Sequence, residues 1–225
     1  MAKPGGSRQL RDWAKACTAG LMAALSLGFA RPAAALPGQS TEVVSAWILG
    51  NATLQSRLGE DLIVQRSSGS QSFKFEASIF APGRRSGVNA RGLCRTPIDR
   101  GRIRSEQFVL EDFNRGVPLD RLELGLRSIY GLEIYLDYRN SGLVYAYPNG
   151  ITLDQARRQS QLGFERNYGE IRIGEYYAYW LEQGRMSNGF APSGQVTVLL
   201  KEDVPKLVLE LGGGEIGAID CPSSG

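Results

Sequence analysis

The stretch LIVQRSSGSQSFKFEASIF, from Leu62 to Phe80, decides the fold class. Its second arm alternates Phe73, Phe75, Ala77 and Ile79 with Lys74, Glu76 and Ser78. That period of two turns one side of a β-strand toward a core and the other toward water. Leu62-Ile63-Val64 forms the first arm, and Ser67-Ser68-Gly69-Ser70 supplies the turn. So short a connection joins antiparallel neighbours only, because a parallel pair needs a crossover of a dozen or more residues.

Outward from this hairpin the chain alternates short strands with a few helices. Upstream, Ser40 or Thr41 can cap a helix that places Val43, Val44, Trp47 and Ile48 at helical spacing and stops at Gly50-Asn51. Downstream, residues 82–104 are rich in Arg and Gly without apolar periodicity and read as a long loop carrying Cys94. Glu106 to Phe113 reads as a strand. Pro118 to Tyr130 reads as a helix, with Leu119, Leu122, Leu126 and Ile129 on one face and Gly131 as its end. Leu132 to Tyr138, a turn at Asn140-Ser141-Gly142, and Leu143 to Tyr147 then read as a second hairpin. Thr152-Leu153-Asp154-Gln155 has capping-box spacing and predicts a helix to about Phe164. Ile171 and Ile173, Tyr176 to Leu181, Gln195 to Leu200 and Leu207 to Leu211 read as strands. The class expected is α+β: one domain, residues 36–225, built on a mainly antiparallel sheet of short strands with two or three helices and a Gly-rich tail at 212–225.

Residues 1–35 read as a signal peptide. Lys3, Arg8, Arg11 and Lys15 precede the apolar run Ala16 to Ala30, and Ala33-Ala34-Ala35 offers small residues for cleavage. The run is about 15 residues, short of the roughly 20 that a membrane span needs. The mature chain is then expected in the periplasm or outside the cell by the general secretory route, or in the thylakoid lumen of a phototroph, with no later membrane span. It keeps two cysteines, Cys94 and Cys221, in a compartment that permits a disulfide. Pairing them would close a loop on the order of 130 residues, worth about 4–5 kcal/mol in the chain-entropy model; two separate buried thiols are the alternative. Removal of 1–35 also takes five of the 26 basic and one of the 23 acidic groups, leaving 21 against 22. A globally basic, polyanion-coating protein is therefore not expected.

The chain has no histidine. Ser-His-Asp and Cys-His machinery, imidazole metal ligands and His proton shuttles are excluded together, and no cofactor or metal is expected. A literal GxGxxG at Gly212 to Gly217 has only eight residues after it, too few for the βαβ unit that a dinucleotide site requires. Asn51-Ala52-Thr53 matches a glycosylation sequon, relevant only in a eukaryotic secretory pathway.

Two candidate surfaces remain. All nine tyrosines fall between Tyr130 and Tyr179, and Trp180 follows. Tyr135, Tyr145, Tyr147, Tyr177, Tyr179 and Trp180 on antiparallel strands would present flat rings with polar tips to a protein or a small saccharide-like ligand; strand propensity alone also enriches tyrosine. Seven arginines lie between Arg84 and Arg104, and Arg91, Arg95, Arg102 and Arg104 could hold anionic groups as bidentate partners. That segment lacks the interleaved aromatics of a base-stacking surface, so nucleic acid is not an expected partner. The sequence thus predicts an exported binding or interaction domain using a Tyr-rich strand face, and more readily a non-enzyme than an enzyme. The alternatives are a His-free hydrolase for envelope or saccharide substrates, with Glu133, Asp137, Glu175 and Glu182 as candidate carboxylates, and an assembly component of an envelope complex.

Overall fold

The computed structural model describes residues 36–57, 62–83, 101–158 and 166–212. The expected signal peptide, Arg91, Cys94, Arg95 and Cys221 lie outside them. The strands are β1 (Ile63–Ser68), β2 (Gln71–Ser78), β3 (Ser105–Asp112), β4 (Gly142–Tyr147), β5 (Arg166–Ile173), β6 (Ala178–Arg185) and β7 (Ser193–Leu199). The helices are α1 (Thr41–Gly50), α2 (Leu119–Asn140), α3 (Leu153–Arg158) and α4 (Val204–Gly212), with a 3-10 turn at Lys201–Asp203 before the last. All strands join one antiparallel sheet in the order β1-β2-β3-β7-β6-β5-β4. Two meanders, β1-β2-β3 and β4-β5-β6-β7, meet at the β3–β7 seam. The α+β class expected from the sequence is the class observed.

The first hairpin forms as its alternation requires. Val64 lies opposite Phe75, Ser68 opposite Gln71, and Gly69 takes a positive φ in the turn. Phe75 in turn lies opposite Phe108 on β3, and both are fully buried. Each such ring contributes roughly 1.5–3 kcal/mol through burial. Val196, Val198, Tyr179 and Leu181 continue this face of the sheet beneath Leu122, Leu126 and Ile134 of α2. Ser40 caps α1 as expected, accepting from the Val43 amide, and Val44 and Ile48 face the core. Asn51 ends the helix with its carboxamide committed: the oxygen accepts from Thr53 and Leu54, and Nδ2 donates to the Ile129 carbonyl. The capping box at α3 is made in both directions, Gln155 N to Thr152 Oγ1 at 3.2 Å and Thr152 N to Gln155 Oε1 at 2.9 Å.

Three expectations are overturned. The expected strand from Leu132 to Tyr138 is helical, and β4 pairs with β5 instead of with it. Gly131 does not end the helix: at φ +86° it kinks α2, a conformation glycine adopts without strain, and the chain re-enters helix. Ile134, Asp137 and Tyr138 then point inward at helical spacing, while Leu132 and Leu136 are exposed. Asp137 fixes this second half. Its carboxylate accepts the amides of Glu175 (2.6 Å), Tyr176 and Tyr177 and the hydroxyl of Tyr179 (2.6 Å). Second, Leu207 to Leu211 is helix, not strand. Val204, Leu207, Val208 and Leu211 fall at intervals of three and four, and Pro205 sits in the first turn, where a missing N–H is tolerated. The Gly212 motif therefore begins at the last residue of a helix and not after a strand. Third, Tyr176 and Tyr177 belong to the turn before β6, which begins at Ala178.

One side chain departs from the apolar core. Glu106 on β3 is fully buried, opposite Ala77 and Val198. Among the described residues neither of its oxygens, nor the Tyr130 hydroxyl, has a hydrogen-bond partner. Burial pushes its carboxyl up to about 8, and the nearby Tyr130 hydroxyl, outside hydrogen-bonding geometry, offsets this only in part. No described helix is long and apolar enough to cross a membrane.

Candidate functional site

The sheet's two faces differ. One is covered by α1, α2 and α3; on the other, among the described residues, Val204 and Leu207 of α4 pack on Ile171, Ala178, Leu199 and Trp180 at one end. The strand period places Tyr145, Tyr147, Trp180 and Glu182 on this second face, and Tyr179 on the first.

The ring of Tyr147 lies over Gly169 of β5. A Cβ there would stand 2.3 Å from the Tyr147 ring, so only glycine leaves the space. Tyr145 stacks beside Tyr147 with centroids 6.0 Å apart. The Trp180 indole donates to the Tyr147 hydroxyl at 2.9 Å, the Tyr147 hydroxyl donates to Glu182, and Asn167 donates to the same carboxylate at 3.4 Å. Burial, then the Glu182 charge and its hydrogen bond, raise the Tyr147 phenol far above its ordinary value. Burial likewise raises the Glu182 carboxyl, partly offset by the Tyr147 hydrogen bond. Tyr147 is thus a neutral, oriented hydroxyl and not a base.

This pair of rings sits on an edge. β4 is the last strand of the sheet, and from Gly142 to Gly150 it and its turn contain no charged residue. Leu143 and Val144 are 46% and 49% exposed. Beside them opens a broad hollow of about 750 Å³, lined by β4, its turn, and Leu211 and Gly212 at the end of α4. The other edge, β1, carries Arg66, whose guanidinium donates to the carbonyls of Leu54 and Gln55.

The structure brings Tyr145, Tyr147 and Trp180 together and separates the other predicted residues that are described. Tyr179 is fully buried and donates to Asp137. Tyr177 packs against the core from the turn before β6. Tyr135 lies on α2, with the Arg127 guanidinium 5.9 Å from its ring. Arg104 is buried, bonded to both Asp203 oxygens (2.6 and 3.2 Å) and to Glu202 (3.0 Å), which ties β3 to the turn before α4. Arg102 donates to the Gly38 carbonyl. Among the candidate carboxylates, Asp137 holds the 174–177 turn, Glu133 and Glu175 are exposed, and Glu182 serves Tyr147.

A cleft of about 390 Å³ between α2, α3 and β5 went unseen in the sequence. It contains Tyr138, which donates to Glu123 at 3.2 Å, and the carboxylate of Glu170, which accepts from the Leu153 amide at 3.1 Å. Burial and these two carboxylates raise the Tyr138 phenol strongly. Arg139 pairs with Glu123, Arg172 with Glu170 and Arg157 with Asp120, and the fourth acid of the lining, Asp154, lies 3.9 Å from Arg158. The lining is drawn from α2, α3 and β5 together, and only their assembly brings these groups to one cleft. Among the described residues no group of three or more His, Cys, Asp or Glu could hold a metal ion.

No family model matches the chain, and no curated protein or solved structure is significantly similar to it.

Proposed function

We propose that this chain is an interaction domain that takes up an extended polypeptide along β4. The observation that carries the reading is the edge itself: a charge-free strand with two aliphatic side chains about half exposed, next to stacked tyrosines and an open hollow. Soluble proteins guard sheet edges with charges, prolines or covering elements, because unpaired N–H and C=O groups recruit another strand. In strand addition the main-chain hydrogen bonds give affinity, and alternate side-chain contacts give specificity. A segment rich in apolar and aromatic residues would meet Leu143 and the Tyr145–Tyr147 rings without stranding a charge. The N-terminal leader and the two cysteines support meeting that partner outside the cytoplasm.

The test is retention of an extended apolar peptide, selected from a random library against the purified protein. Val144→Lys places a charge on the edge and should abolish retention, whereas Leu124→Lys, on an exposed position of α2, should leave it intact. Equal retention by both variants would sink the reading.

A further inference from the structure

Beyond the β4 edge, the geometry points to a second, separate binding site for a neutral polyhydroxyl ligand of the saccharide class, in the groove where β2, β3, β7 and β6 face the Phe80–Gly83 segment. The groove holds about 370 Å³, within the range of small-ligand sites.

Its chemistry narrows the ligand. Among the described residues the charged side chains of the lining are Lys74 and Glu76, and they pair at 2.6 Å. A net anion or cation would find no uncompensated counter-charge among these described groups and would still lose hydration. What remains is amide and hydroxyl. Among the described residues the half-buried Gln195 carboxamide has no side-chain hydrogen bond, while Gln107 gives one N–H to Thr197 Oγ1 at 3.1 Å and shows no other partner for its carbonyl and second N–H. A carboxamide both donates and accepts, as each sugar hydroxyl does. Phe80, 57% exposed, adds ring surface suited to the C–H face of a sugar, with the edge of the buried Trp180 beside it. The Phe80–Gly83 wall is fixed: Ser105 Oγ donates to the Phe80 carbonyl at 3.1 Å, and Gly83, at φ +133°, lies so close to α4 that a Cβ would stand 2.0 Å from Glu210.

The experiment follows the Trp180 indole N–H resonance of the purified protein during titration with maltotriose, cellotriose and chitotriose, and with glucuronate and glucose 6-phosphate as charged counterparts. At least one neutral oligosaccharide should shift the resonance saturably, and the charged compounds should bind at least about tenfold more weakly. Gln107→Ala/Gln195→Ala, checked for an unchanged unfolding midpoint, should weaken the neutral ligand about tenfold or more, whereas Val144→Lys should leave it unaffected. No response to any neutral sugar, tighter binding of a charged one, or wild-type affinity in the folded double variant would overturn the proposal. The Val144→Lys arm keeps its outcome independent of the β4 edge.

Discussion

Replacing Glu106 with Gln should stabilise the protein at neutral pH, by an amount that grows as pH rises. The carboxyl is fully buried, without a hydrogen-bond partner among the described residues, and burial lifts it from 4.5 to about 8. Because the folded-state pKa is raised, the folded form is the stronger proton binder between those values, and stability falls as pH climbs through the window. Below about 4.5 both states are protonated and nothing is lost; above about 8 the loss is complete. Each unit is worth about 1.4 kcal/mol, so the full window amounts to about 5 kcal/mol, of which about 3 is already lost at pH 7. Gln keeps the size and carries no charge, so wild type minus variant isolates this one group from every other titration. Urea unfolding at about pH 5, 7 and 9 should show a gap that widens by about 2.5 kcal/mol between the first two, by about 1.4 more by the third, and levels off there. A gap that stays constant would refute the reasoning, because it would mean that Glu106 titrates as it does in the unfolded chain.

Asp203→Ala removes the buried partner of the Arg104 guanidinium while leaving Glu202 beside it, and should cost about 2–3 kcal/mol in chemical denaturation; a loss under 1 would contradict a buried, coupled pair. Asp137→Ala removes the acceptor of three amides and a tyrosine hydroxyl, so amide exchange at residues 175–177 should accelerate along with a drop of about 2–4 kcal/mol. Gly131→Ala forces a β-carbon into a positive-φ kink and should cost about 1–2 kcal/mol, read as a lowered thermal midpoint. Cys94 and Cys221 are predicted to pair in the exported protein; a thiol assay on denatured, unreduced material should find no free thiol there, and two titratable thiols would end that expectation.

Legibility followed the range of the forces involved. The β1–β2 hairpin, the Ser40 cap and the Thr152–Gln155 box are local devices, and each stands where its residues predicted. Residues 132–138 alternate like a strand, and a short apolar run does not by itself separate strand from helix. What decided it was Asp137, whose partners lie some forty positions downstream. Residues 207–211 were misread because the helix period emerges only when Val204 is counted with them. At the candidate site, the tyrosine cluster pointed to β4 and β6 but could not say which side of the sheet each ring would take. Once β6 starts at Ala178, the period of two buries Tyr179 against α2 and sends Trp180 to the other face. The Arg104–Asp203 pair spans 99 positions, so the basic segment carried no sign that one of its arginines serves the core.

The β4 edge is tested most directly by amide hydrogen exchange across Gly142–Tyr147, with and without the strongest peptide selected from a random library. Strand addition predicts slowed exchange along β4, with little change at β1, and no slowing in Val144→Lys. A bound peptide that leaves β4 exchange unchanged, or protects only another surface, would contradict the account.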